Sequence, residues 1–179
     1  MSDFQRAVDL ILRNEGYVKG MEPRGGFTSF GWTLMGLRGA AEKQNQLADI
    51  NGDGKITIED VMTMTLPDAV ELYKKIYWES NGYNQIENQD VATKVFDGAV
   101  NLGERTAHKL VQGVPCLEGY RLTQDGVLGP RSIGAINNTD PYYLLPDIRV
   151  AYLLYYQQIL AADPSAEPNC VGWFRRACR

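Results

Sequence analysis

SDFQRAVDLILRNEGYVKGMEPRGGFTSFGW, residues 2–32, changes its periodicity at Gly16, and that change decides the architecture. Before it, Ser2 and Gln5 stand in capping-box spacing and Phe4, Ala7, Val8 and Ile11 share one face of a 3.6-residue repeat, which predicts an amphipathic helix ended by Gly16. After it, glycines and aromatics break the helical period and predict a turn followed by short extended segments, a small lobe or flap beside the helix. Eleven residues beyond Phe4, at ~100° per residue, Glu15 returns to nearly the azimuth of the apolar stripe. Its carboxylate is therefore expected to point inward.

Working outward, the rest of the chain reads as helices. One runs through Leu34 to Leu47 into the acidic loop DINGDGKITIED, and another is opened by Thr65, Pro67 and Asp68 and continues through Val70, Leu72, Tyr73, Ile76 and Tyr77. Ala92, Val95, Phe96, Ala99 and Val100 give helical spacing within Asp90 to Leu102, and Gly103 ends that helix. Pro130 stands just inside a further helix start, and Ile148, Ala151, Tyr152, Tyr155 and Ile159 mark a last long helix that closes before Asp163 and Pro164. There are no tandem repeats and no low-complexity linker. The expected fold is mainly α with a small β element near the N-terminus.

Composition narrows the function classes. At 179 residues and 44% apolar content the chain can bury a real core, and a net charge of -4 with a pI near 5.1 leaves no basic footprint for nucleic acid. No apolar run of about 18 residues is present, so no membrane span is expected. Asp3, Arg6, Asp9 and Arg13 are incompatible with a signal peptide's apolar region, so the expected route is synthesis in the cytoplasm followed by release through a holin or another export path. Cys116, Cys170 and Cys178 form neither a disulfide framework nor a Cys-x-x-Cys metal pair, although a Cys170–Cys178 bridge in the tail stays open. The single histidine, His108, is expected in a surface or half-buried role on a helix, which leaves little room for Ser-His or Cys-His chemistry.

Cleaving a glycosidic bond at neutral pH needs a protonated carboxyl group, hence a pKa above the ~4.3 of free Glu. At a helix C-terminus the macrodipole is negative, and an apolar stripe desolvates charge. Both would favour the neutral form of Glu15 over the alternative, a solvated Glu at a fraying helix end.

Several motifs in order then carry a resemblance. Glu15-Gly16-Tyr17-Val18, Gly25-Gly26-Phe27-Thr28 and Gly31-Trp32-Thr33 resemble the N-terminal signature of glycoside hydrolase family 108, which comprises phage endolysins and secretion-associated muramidases. Ile76-Tyr77-Trp78, the run Val95 to Gly103, Asp125 to Pro130, and Gly172-Trp173-Phe174-Arg175-Arg176 are similar to the family's C-terminal peptidoglycan-binding region. The resemblance implies a lysozyme-like α+β fold with a catalytic region over residues 1–80, interrupted by an insertion at 38–65, and a helical peptidoglycan-binding region over 81–179, packed as one compact unit. It implies an N-acetylmuramidase that cuts between N-acetylmuramic acid and N-acetylglucosamine, works as a monomer on bacterial peptidoglycan, and carries its essential acid on Glu15.

The sequence departs from the family in two places: Gly16 is followed directly by Tyr17 where a second glycine is usual, and Pro23 stands where an Asp often precedes the glycine pair. A second carboxylate is then either Glu22, beside that proline, or absent, with Glu15 working alongside Thr28 and backbone groups. Gly25 and Gly26 would let backbone approach a sugar ring, or simply make a turn. Tyr17, Phe27, Phe30 and Trp32 offer flat faces of which one or two are expected at the groove and the others in the core. Asp97 and Asn101 are expected to cap or bridge backbone groups, within a segment that packs between lobes.

Inside the insertion, Asp49, Asn51, Asp53, Gly54, Lys55 and Asp60 match a twelve-residue EF-hand loop: side-chain oxygens at positions 1, 3 and 5, glycine at 6, a backbone carbonyl at 7 and a carboxylate at 12. A structural Ca²⁺ is the expected cofactor. Competing readings are a non-catalytic, calcium-dependent wall-binding module, a calcium-regulated interaction protein, and a lytic transglycosylase.

Overall fold

In the computed structural model, which describes residues 1–16, 19–22 and 26–179 apart from the side chains of Glu22 and Asn45, the first helix, α1 (Phe4–Glu15), buries Ala7, Val8, Ile11 and Leu12. Gly16 ends it with φ 82°, its N–H reaching the Leu12 carbonyl at 2.9 Å. The expected capping box does not form there: the Ser2 hydroxyl donates instead to the Tyr83 carbonyl at 2.9 Å. Reciprocal boxes stand at two other helix starts, Thr57 with Asp60 and Thr65 with Asp68.

A three-stranded antiparallel sheet follows in the order β1 (Lys19–Glu22), β2 (Gly26–Ser29), β3 (Trp32–Thr33). Gly20 pairs with Thr28, and Thr28 in turn with Thr33. Ser29 and Trp32 close a two-residue turn in which Phe30 (φ 52°) and Gly31 (φ 86°) are both left-handed, the geometry that matches the twist of a hairpin. After it come α2 (Leu34–Ala48), kinked where Gln44 leaves helical geometry, then α3 (Ile58–Thr63) and α4 (Leu66–Leu72). The helix expected to run on through Tyr77 changes winding at Tyr73, and Tyr73–Glu79 is π-helical.

The chain divides into two compact units, Phe4–Ser80 and Met1–Asp3 with Asn81–Arg179. The second is helical: α5 (Gln89–Leu102), α6 (Glu104–Gln112), α7 (Pro130–Asn137), α8 (Pro141–Ala162) and α9 (Cys170–Cys178), with short 3₁₀ turns between them. Its core is built from Val91, Val95 and Phe96 of α5 and Leu144, Ile148, Tyr152 and Tyr156 of α8. Those two helices approach so closely that a Cβ on Gly98 would lie 2.3 Å from the Tyr152 ring. Tyr156 stacks on Trp173 of α9 at 5.3 Å and 14°. His108 is deeper than expected, 1% exposed, with its ring nitrogens bonded to the Tyr83 hydroxyl at 2.7 Å and the Gly126 carbonyl at 3.0 Å.

The architecture is mainly α with a small antiparallel sheet near the N-terminus, as the sequence predicts. No helix among the described residues is long and apolar enough to cross a membrane. The thiols of Cys116, Cys170 and Cys178 are free. Cys170 and Cys178 begin and end α9, separated by about 12 Å of helical rise, well beyond disulfide reach.

Candidate active site

Glu15 is the last residue of α1, half-buried, and the hairpin turn after β2 closes on its stem. Gly31 comes so near that a Cβ built there would lie 2.8 Å from Glu15 Cγ, 2.9 Å from Glu15 Cβ and 2.4 Å from the Tyr73 hydroxyl. Tyr73 donates that hydroxyl to the Phe30 carbonyl at 3.1 Å, so the turn is pinned from below while it holds the carboxylate's stem from the side. Trp32 and Tyr77 complete the packing, at 5.1 Å and 6.2 Å between ring centroids from Tyr73 and 6.0 Å from each other. The π-helical winding sets Tyr73 and Tyr77 against Trp32, an instance of irregular helix beside a candidate site.

Two residues of this arrangement were not singled out as functional by sequence reasoning. Gly31 carried a visible signal, a glycine between two strand-like residues. Tyr73 did not, because it fits an ordinary amphipathic pattern. Replacing Gly31 with alanine tests the arrangement: a left-handed φ disfavours any side chain, and the new methyl would have to displace Tyr73 or Glu15. The expected stability cost is about 1–3 kcal/mol, seen in thermal melting. A Gly31→Ala chain that melted like the parent would dissociate the turn from the carboxylate.

The other anticipated site residues are distributed as follows. Thr28 sits mid-β2, half-buried. Gly26 opens β2 with φ 79°, and a Cβ built there meets nothing within 4 Å among the described residues. Trp32 is a core ring, 4% exposed and packed at a tilt against Tyr73 and Tyr77, so little of it is open to a sugar. Tyr17, Gly25 and the Glu22 side chain lie outside the described residues, although the Glu22 backbone pairs with Gly26. Asp97 engages Arg176 Nε at 2.8 Å and Lys94 Nζ at 3.6 Å, and Asn101 accepts from the Tyr156 hydroxyl.

In the loop of the insertion, Asp49 accepts from Asp53 and Gly54 N–H at 3.1 and 2.8 Å, Asn51 from Asp53 N–H at 3.0 Å, and Asp53 from Lys55 N–H at 2.8 Å. Gly52 and Gly54 take positive φ, as the tight winding requires. Asp60 is fully buried, and its carboxylate accepts from Ile50 N–H at 2.9 Å and Thr57 N–H at 2.7 Å. Asp49, Asn51, Asp53 and the Lys55 carbonyl supply the hard oxygen donors that suit Ca²⁺. Asp60 is occupied with backbone, and no cluster of three His, Cys, Asp or Glu groups poised for a metal is present among the described residues. The helix that follows the loop, α3, is tied to the sheet beside Glu15: Ser29 donates to the Val61 carbonyl and Lys19 to the Met62 carbonyl at 3.2 Å.

Comparison with known proteins bears on the same residues. The family model for glycosyl hydrolase 108 matches residues 8–103, and a model for a predicted peptidoglycan domain matches residues 106–178. Among solved structures, SagA of Brucella abortus is similar over 98% of this chain and 90% of that one, with a TM-score of 0.74 at 24% identity, a likeness of fold. No curated protein matches the sequence. The two family matches together support a peptidoglycan hydrolase.

Proposed function

We propose that this chain, which belongs to the glycosyl hydrolase 108 family, is an N-acetylmuramidase that hydrolyses the bond between N-acetylmuramic acid and N-acetylglucosamine, with Glu15 as the general acid. The observation that carries the reading is the seat of Glu15: a half-buried carboxylate at a helix end, its stem gripped by the Phe30–Gly31 turn. Such a group is held in place before substrate arrives, which is what positioned proton transfer requires. Glu15 gives its proton to the bridging oxygen as the glycosidic bond breaks. Water adds its hydroxyl to the anomeric carbon, and by the end of the turnover its other proton has replaced the one Glu15 gave up. Thr28 is the candidate to hydrogen-bond that water or a sugar hydroxyl.

The test is digestion of purified walls followed by mass spectrometry of the fragments. Hydrolysis gives new reducing ends, each cut adding one water. Anhydro-muropeptides would assign a lytic transglycosylase, and walls bound without release of fragments would assign a binding module.

The reading includes a structural Ca²⁺ held by Asp49, Asn51, Asp53 and the Lys55 carbonyl, with Asp60 closing the loop through the backbone. The ion's role is to tighten the loop that leads into α3, and through Val61 and Ser29 to steady the sheet beside Glu15. Ca²⁺ is expected to raise the melting temperature over that in EGTA and to give a measurable binding heat. Superimposable melting curves with no heat would remove the ion from this account.

A further inference from the structure

We propose that the second unit carries a saccharide subsite in the groove between α6, the loop after it and α8, where a stretch of the peptidoglycan glycan strand rests; the proposal builds on the hydrolase reading above. One part of the groove, about 260 Å³, lies among Lys109 and Leu110 of α6 and Ala151, Leu154, Tyr155 and Gln158 of α8. An adjoining hollow of about 450 Å³ is lined by Pro115, Leu117, Glu118, Arg121 and Leu122. Gly113 and Gln124 border both.

Gln124 joins the two parts. Its amide lies over Gly113 so closely that a Cβ there would be 2.9 Å from Nε2 and 3.0 Å from Cδ, so a glycine at 113 leaves the amide its place. Gln124 is exposed, and no hydrogen bond within the described residues engages it. Gln112 shows the contrast. Its amide donates to the Val127 carbonyl at 2.9 Å and Ser132 at 3.1 Å and accepts from Gly126 N–H at 2.9 Å, so it is used in building the loop. One glutamine is architecture, and its neighbour is presented to the groove.

The lining suits one ligand chemistry. A pyranose has an apolar C–H face and a rim of hydroxyl and N-acetyl groups. It calls for a flat apolar floor with side-chain amides that both donate and accept. Tyr155, half-buried beside Ala151 and Leu154, provides the floor, and Gln124 and Gln158 provide the amides. Every lining residue falls within 106–178, the span that matches the predicted peptidoglycan domain.

The experiment measures retention of a Glu15→Gln chain on purified insoluble walls, without cutting, and then of the same chain carrying Gln124→Ala, Tyr155→Ala or Gly113→Ala. Gln124 is exposed and Gly113→Ala only displaces its amide, so these two keep the test meaningful if Tyr155→Ala melts early. Each is expected to weaken retention about tenfold, the loss of one well-placed contact. Chito-oligosaccharide should displace the parent, and free stem peptide should not. Unchanged retention in the Gln124 and Gly113 variants, or displacement by stem peptide alone, would overturn the subsite. Reducing ends released by the wild-type chain report separately on the hydrolase: walls bound at the groove but never cut would end that reading and leave this one standing.

Discussion

A Glu15→Gln chain is expected to release reducing ends from purified walls about 10²–10⁴-fold more slowly than the wild type, the range a positioned general acid contributes, while melting at the parent's temperature. Gln has the same stem, so the Cβ and Cγ atoms that meet Gly31 keep their packing, and what disappears is the proton. Glu15→Asp makes the complementary case. It keeps an acid but withdraws it by about one bond length from a seat shaped for the longer side chain, and misplacement on the order of 1 Å is enough to cost about 10²-fold. The ordering wild type, then Asp, then Gln, with all three folded, is the signature of a group acting by proton transfer from a fixed place. If the Gln chain cut within a few-fold of the wild type, the acid would have to be sought on another carboxylate, and the grip of the hairpin on α1 would be packing alone.

What the sequence disclosed about that site, and what it hid, follows from the range of each signal. The helix ending at Gly16 was legible because a 3.6-residue repeat and a terminating glycine are local facts, and the azimuth of Glu15 came with them. The short extended segment that carries Thr28 was legible for a related reason, the local break in that repeat. The contact between Gly31 and Glu15 was not legible, because it joins a hairpin turn to a helix end, and its third member, Tyr73, lies more than forty residues further on in a segment that looks like ordinary helix. Nothing in the residue pattern announces that the winding there becomes π. Trp32 was one of several flat faces offered to sugar or core, and the rings it packs against, Tyr73 and Tyr77, come from the same segment. The Ser2–Gln5 box matched its template, yet the Ser2 hydroxyl found the Tyr83 carbonyl, a partner that spacing rules cannot see. His108 reads as a helix-surface residue until Tyr83 and Gly126 are brought to its two nitrogens.

Asp97→Ala is expected to have the largest effect on stability, about 3–5 kcal/mol, because it removes the negative charge shared by two buried cations rather than merely deleting a bond. Asp97 and Lys94 are each 2% exposed and Arg176 is 9% exposed, and the carboxylate meets Arg176 Nε at 2.8 Å and Lys94 Nζ at 3.6 Å, joining α5 to α9. Burial pushes the Lys94 ammonium below the usual lysine range; Asp97 pulls it back up, while Arg149 and Arg176 push it further down. Removing this carboxylate takes a shared counter-charge away from two buried positive groups. Removing Lys94 instead leaves Asp97 with Arg176, a balanced pair, so Lys94→Met should cost much less even though the backbone carbonyl of Arg176 loses its donor. Distance alone would not predict this asymmetry: Lys75 and Glu79 are only 2.7 Å apart, but their side chains are 34% and 42% exposed and water already screens them, so breaking that pair should change little. Urea unfolding of Asp97→Ala and Lys94→Met is the measurement. Equal losses for Asp97→Ala and Lys94→Met would show that hydrogen bonds, not charge balance, hold α9 in place.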